Sequence, residues 1–341
     1  MLPAQRPIGR RTYPPDGNRE GILLVATGKP TYLWWKGQRM AWDEANVHVT
    51  ALGWSTVGAI FEGIRAYWNA DHDELYIFRL DEHMDRFRNS MKLVRLDETH
   101  DMETLKEAIV DLLRANETRE DTYIRPLAYR GGDGRGGFSG VGGTTEILIN
   151  TNPSPSHLLS GQGKTACISS WRRISENVMP PRIKNISNYR NGQLANMEAA
   201  QNGYDTALIL NENGKVAEGG GACVAFIRDG KFVTPGVTQS ILESITRDAL
   251  MQLAKDELGL TVEEREVDRT ELYIADEVFM MGTAAEITPI VSVDHYQVGT
   301  GEIGPITRKL EGLLDDCFRG KTGIRPEWRT TVGVGAAVAA D

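Results

Sequence analysis

At 341 residues, with 40% hydrophobic and 25% charged residues, the chain can bury a large core and divide into two domains. A net charge of −9 and a pI near 5.3 would repel nucleic acid phosphates, and no basic stripe interleaved with aromatics offsets that balance. Cys167, Cys223 and Cys317 lie far apart without CxxC spacing, and the histidines show no metal-ligand spacing, so neither a disulfide framework nor a metal site is expected and a cytoplasmic location is. No apolar run reaches the ~18 residues of a membrane span, and the first residues lack the apolar stretch of a secretory signal.

In chain order, residues 1–30 are rich in Pro, Gly and Arg and read as an N-terminal extension wrapped on the surface. YLWWKGQRMAW, from Tyr32, predicts a strand pair with a Lys36-Gly37-Gln38 turn between two hydrophobic runs. IFEGIRAYWN and ELYIFRL (60–80) predict a second strand pair, followed by a helix capped by Asp81 and running through Leu93. A second amphipathic helix spans 101–115. YIRPLAYR and TEILINTN (123–152) are strands around a glycine-dense loop at 131–143. That loop contains a formal GxGxxG (132–137). No helix follows it, so the dinucleotide reading fails and a mobile loop over an active-site mouth is expected.

PSPSHLLSGQG (153–163) has linker composition, which sets a small domain at 31–152 and a larger one at 164–330, with a frayed tail at 331–341. In the larger part TACISSWRR is a strand, and DTALILNENGKVAE and ACVAFIRDGKFVTP are hairpins through Asn-Gly and Asp-Gly. A helix at 239–258 is opened by Gln239 and Ser240, EVFMMG is a short buried strand, and a helix closes 303–319. Hairpins with inserted helices, and few strand–helix–strand repeats, define an α+β fold.

Lys184 stands between Ile183 and Ile186 without a carboxylate at helix spacing, where burial would lower its pKa and make it a nucleophile. A surface charge is the ordinary reading of any single lysine; the surrounding motifs reverse it. Glu218 precedes three glycines, a carboxylate placed to pair with a ring nitrogen beside backbone that can approach a flat ring. A turn carboxylate is the plainer alternative. Ile245-Thr246 near a helix start and Gly282-Thr283-Ala284 after a buried strand offer N–H groups to a phosphate, and Arg86 offers charge. An amine for a Schiff base, a carboxylate for a ring nitrogen and two phosphate turns together fit pyridoxal 5′-phosphate and transamination. No GxSxG elbow supports a serine hydrolase.

From about Tyr32 to Arg329 the chain resembles the class IV (fold type IV, D-amino acid aminotransferase-like) pyridoxal phosphate enzymes, most closely the branched-chain amino acid aminotransferases. The specific matches are Phe61-Glu62-Gly63-Ile64-Arg65, Arg79-Leu80-Asp81-Glu82-His83 with Arg86, Tyr123-Ile124-Arg125-Pro126, Leu272 to Phe279, and Gly282-Thr283-Ala284-Ala285-Glu286. The resemblance implies a small α/β domain, a larger domain with a β-barrel-like core, and a homodimer. It implies that Lys184 holds the cofactor and moves the proton, with Glu218 on the pyridine nitrogen, Tyr189 on the ring oxygen and Leu242 packed on the ring. Arg86, Ile245, Thr246 and Thr283 would bind the phosphate, and Gly221 would lie beside the cofactor. Phe61, Tyr123, Arg125, Thr283 and Ala284 would face the substrate.

The chain departs from the pattern at Thr56, at Ala217, at Ala222-Cys223, and at Ser154 and His157, which implies a wider or less apolar pocket. The expected activity is transfer of an amino group from a branched-chain L-amino acid to 2-oxoglutarate by a ping-pong mechanism. The alternatives are (R)-amine:pyruvate or D-amino acid transamination, an aminodeoxychorismate lyase, or a cofactor-free binding protein.

Overall fold

The computed structural model describes residues 28–132 and 143–334. Most of the N-terminal extension, most of the glycine-dense loop with its GxGxxG, and most of the tail lie outside the described residues. The first half comprises β1 (Tyr32–Trp35), β2 (Gln38–Ala41), α1 (Leu52–Val57), β3 (Ile60–Phe61), β4 (Ile64–Asn69), β5 (Glu74–Phe78), α2 (Leu80–Leu93), α3 (Met102–Ala115), β6 (Thr122–Arg130) and β7 (Thr145–Pro153). The second comprises β8 (Lys164–Arg172), α4 (Tyr189–Gln201), β9 (Thr206–Leu210), β10 (Val216–Gly219), β11 (Cys223–Arg228), β12 (Lys231–Pro235), α5 (Ile245–Asp256), β13 (Thr261–Arg265), α6 (Arg269–Tyr273), β14 (Glu277–Gly282), β15 (Glu286–Val293), β16 (Tyr296–Gln297), α7 (Pro305–Arg319) and β17 (Arg329–Thr331).

Two sheets result, the first antiparallel in every pairing and the second mixed. The first sheet runs β17-β5-β4-β6-β7-β1-β2 with β3 on β6; the second runs β10-β9-β8-β15-β14-β11-β12-β13 with β16 on β15. Lys36-Gly37 and Asp229-Gly230 both turn through positive φ at their two central residues, the backbone that a right-twisted two-residue hairpin requires.

Several boundaries differ from the expected ones. Asp81 is not the cap of α2: Arg79, in the left-handed region at φ 49°, precedes the helix, and Asp81 sits in its first turn. Residues 239–244 are not helical. Gln239 is buried on Asn211, Ser240 turns left-handed at φ 62°, and Ser244 is the cap of α5, accepting from the Arg247 N–H. Seven elements were not expected: the short helices α1 and α6, helix α4, whose buried face is Gly192, Ala195 and Ala199, and strands β13, β15, β16 and β17.

The C-terminal helix α7 ties the layers together. Phe318 stacks on Tyr67 of β4 at 4.0 Å between centroids and meets Phe78 of β5 edge-on at 4.6 Å. Arg319 forks onto Asp121 at 2.8 and 2.6 Å and reaches the Trp68 carbonyl. The Cys167, Cys223 and Cys317 thiols are free and buried. Phe318→Ala is expected to cost about 3–5 kcal/mol through the cavity it leaves. Urea unfolding checks this, and an unchanged midpoint would remove the stack from the account of stability.

Candidate active site

A cavity opens where the edge of the first sheet meets the ends of β10 and β14. The lysine segment is fixed there by main-chain bonds. The Phe61 N–H donates to the Lys184 carbonyl at 3.0 Å, the Ile186 N–H to the Ala59 carbonyl at 2.9 Å, and Ile60 bridges Asn185. The Asn188 amide braces the bend by donating to the Pro180 and Ile183 carbonyls. Lys184 is 8% exposed, and its Nζ donates to Tyr189 Oη at 2.7 Å. The rings of Phe61 and Tyr189 flank that nitrogen at 4.9 and 5.3 Å. Burial pushes the amine below its ordinary pKa, and the Arg86 charge adds to the effect. Burial pushes the Tyr189 phenol up.

Glu218 faces Lys184 from the end of β10. Arg173 Nε lies 2.7 Å from Glu218 Oε1, although its N–H is not aligned on that oxygen, so the contact is electrostatic. The Leu242 N–H donates to Oε2 at 3.1 Å. Burial raises the carboxyl's pKa, against Arg173 and the Leu242 N–H, which lower it. The non-helical stretch 241–244 is what delivers Leu242 to this contact. Cys223 sits behind, its thiol pushed up to about 12 by burial.

Glycines shape the walls. A Cβ on Gly192 would meet the Gly220 carbonyl at 1.9 Å, and one on Gly63 would meet Tyr123 Oη at 1.8 Å. Gly221 also lines the cavity, yet a Cβ there would meet nothing within 4 Å, so the protein leaves open space at that wall. Open space beside a glycine is what the close approach of a flat ring requires.

On α2, Arg86 pairs bidentately with Glu62, Nε to Oε1 at 2.7 Å and Nη2 to Oε2 at 2.8 Å, and its Nη1 reaches the Glu243 carbonyl at 2.7 Å. His83 Nδ1 lies 2.8 Å from the same carboxylate. Burial opposes the Glu62 charge, but Arg86 and His83 hold the carboxyl well below the usual range. Beside Arg86, the N–H groups of Ile245 and Thr246 open α5 and have no protein acceptor among the described residues. Free helix-start N–H groups next to a guanidinium suit a phosphate.

Of the residues expected at the site, Phe61, Arg86, Tyr123, Lys184, Tyr189 and Glu218 line the cavity, as do Gly221, Leu242, Thr283 and Ala284. Ile245, Thr246 and Arg125 do not. Arg125 stands two residues along β6 from Tyr123, its guanidinium 5.6 Å from that ring. Thr56 bonds back to the Leu52 carbonyl inside α1, and neither it, Ser154 nor His157 reaches the cavity wall. Sequence reasoning missed Glu62, His83 and Arg173, the charges that surround the named residues; Glu62 and His83 lay inside quoted motifs without a role. No cluster of potential metal ligands occurs among the described residues.

The family model for class IV amino-transferases matches residues 59–293. The chain belongs to the class IV aminotransferases. Relatives within that family include the branched-chain-amino-acid aminotransferase of Escherichia coli strain K12, 39% identical over 307 residues, or 89% of this chain and 98% of that protein. The crystal structure of the Thermobaculum terrenum branched-chain amino acid aminotransferase in its PLP form matches with a TM-score of 0.87 at 51% identity, over 89% of this chain and 99% of that one. The branched-chain aminotransferase of Thermoproteus uzoniensis, solved with norvaline, matches at 0.82 and 38% identity, over 89% of this chain and 100% of that one. This aminotransferase therefore has the fold type IV architecture expected from its motifs.

Glu62 offers a test of the site's electrostatics. Its folded pKa lies below its ordinary 4.5, so the folded state binds fewer protons; the stabilisation is complete above that value and is lost progressively as pH falls from there through the folded pKa. Glu62→Gln should cost about 3–5 kcal/mol at neutral pH, because Arg86 is left buried without its counter-charge. It should also flatten the acid-side loss of stability in urea titrations. Equal acid sensitivity in both proteins would show that the pair does not carry the effect.

Proposed function

We propose that the chain is a pyridoxal 5′-phosphate-dependent aminotransferase that takes the amino group of a branched-chain L-amino acid and passes it to 2-oxoglutarate. The observation that carries this reading is the dry Lys184 amine on Tyr189, facing Glu218 across an open slot. The names of the E. coli, T. terrenum and T. uzoniensis relatives support the donor, and favour it over the (R)-amine alternative.

In this reading Lys184 holds the coenzyme through Nζ, Tyr189 donates to its ring oxygen, and Glu218 faces its ring nitrogen. Leu242 and Gly221 pack beside the ring, while Arg86, Ile245, Thr246 and Thr283 hold the phosphate. Bound there, the coenzyme supplies the electron sink that makes the substrate Cα–H acidic. Lys184 Nζ takes the Cα proton; an amine serves as a base only when neutral, and its burial favours that form. Burial works against the charge of Glu218, and Arg173 and the Leu242 N–H work for it, favouring a carboxylate opposite the ring nitrogen. Phe61 and Tyr123 bound the substrate side, with the Thr283-Ala284 turn and Arg125 receiving carboxylates.

The same reading assigns residues 31–152 to a small domain, 153–163 to a linker and 164–330 to a large cofactor-binding domain. It gives the enzyme a homodimeric state and a cytoplasmic location; no helix among the described residues is long and apolar enough to cross a membrane.

Lys184→Ala should lower transamination by about 10⁴-fold or more while leaving the circular dichroism spectrum unchanged. Borohydride treatment of the coenzyme-loaded protein should tag one peptide, the one containing Lys184; a tag elsewhere would sink the assignment. L-leucine should bleach the coenzyme's visible band and (R)-1-phenylethylamine should not. The reverse pattern would overturn the donor.

A further inference from the structure

Glu286 is fully buried at the start of β15, directly after the Thr283–Ala285 turn, and its φ is 44°. Left-handed backbone suits glycine or asparagine; a glutamate held there is strained unless its surroundings fix it. The surroundings do. Arg65 Nη1 lies 2.6 Å from Glu286 Oε1, and the Tyr67 hydroxyl donates to the same oxygen at 3.0 Å. Oε2 receives the Ser156 hydroxyl at 3.0 Å and the His157 N–H at 2.9 Å.

The two linker residues do more than neutralise a charge. The His157 ring spans the turn, with Nδ1 3.0 Å from Glu286 Oε2 and Nε2 2.8 Å from the Ala285 carbonyl. Arg65 also holds the Ser154 carbonyl through Nη2. One carboxylate thus joins β4 of the first sheet, the linker, and the turn whose Thr283 and Ala284 face the cavity. The ion pair makes no contact with the cavity itself. Its reach is through the backbone: moving Glu286 moves Ala285, and with it the N–H groups of the turn.

We propose that the buried Arg65–Glu286 pair, clamped from the linker by Ser156 and His157, is a positioning device that sets the Thr283–Ala285 turn for the substrate's carboxylate. This inference rests on the function proposed above and adds to it which residues tune carboxylate affinity. His157 and Ser154 are departures from the family pattern that lie outside the cavity. They alter the clamp, not the wall.

Arg65 and Glu286 are too deeply buried for single substitutions to be safe, so the test uses the Ser156→Ala/His157→Phe double variant on the coenzyme-loaded protein. The probe is 4-methylpentanoate, which has leucine's side chain and carboxylate but no amine, with binding followed through the coenzyme's visible band. Its Kd should rise about tenfold, and the KM for L-leucine should rise in step with kcat nearly constant, as expected when ground-state and transition-state binding fall together. The rate with 3-methylbutan-1-amine, which lacks the carboxylate, measured with the coenzyme saturating, should stay within about twofold. Unchanged 4-methylpentanoate binding, or an equal loss with the amine, would overturn the inference. A wild-type protein that takes up no coenzyme, or fails to react with L-leucine, would instead overturn the parent reading and this one with it.

Discussion

The site depends on a short seam of main-chain hydrogen bonds between the lysine segment and the edge of the first sheet. Two bonds, which together form one antiparallel bridge between Ile60 and Asn185, hold residues 184–186 against Ala59–Phe61. They fix the Lys184 main chain, so its side chain has one direction in which to go, into the space between Phe61 and Tyr189. Because one partner comes from each half of the chain, neither half could form the cavity alone. The C-terminal helix, packed on Tyr67 and Phe78, holds the halves at the spacing the seam requires.

Charge around the amine is arranged in couples. Glu62 neutralises Arg86 on the α2 side, and Arg173 neutralises Glu218 on the β10 side. An isolated buried charge would cost several kcal/mol, whereas paired ions keep their desolvation affordable. The lysine therefore sits between two nearly neutral assemblies, with burial first and the Arg86 charge second pushing it toward the uncharged form. The same logic governs Glu286, whose ionic partner lies on a different strand and whose role is mechanical.

Much of this was legible in the sequence where local chemistry decides structure. Asp229-Gly230 predicted a hairpin because few dipeptides adopt that turn with little strain, and the Lys36-Gly37-Gln38 turn because it parts two hydrophobic runs. Lys184, Tyr189 and Glu218 could be named because an amine, a phenol and a carboxylate have few joint uses. Helix α4 was not legible: its buried face is glycine and alanine, chosen for close approach to Gly220 rather than for hydrophobic bulk, and such a face makes no apolar stripe. The start of α5 was misplaced because Gln239 and Ser240 look like a cap, while Gln239 instead bonds to Asn211 and Ser240 turns left-handed. Arg173 and Glu286 gained their meaning from partners distant in the chain, which no spacing rule reveals. Thr56, Ser154 and His157 looked like pocket residues because sequence order hides which way a side chain faces.

The three buried thiols have a practical corollary. None is paired, none is solvent-facing, and each lies in a different part of the molecule: Cys167 under α4, Cys223 in the cavity wall, Cys317 inside the C-terminal helix. Cys223 borders the cavity, whereas a thiol reagent can reach Cys167 and Cys317 only when the covering structure opens. Their separate alkylation rates would then time how often each region breathes, without a label having to be engineered in.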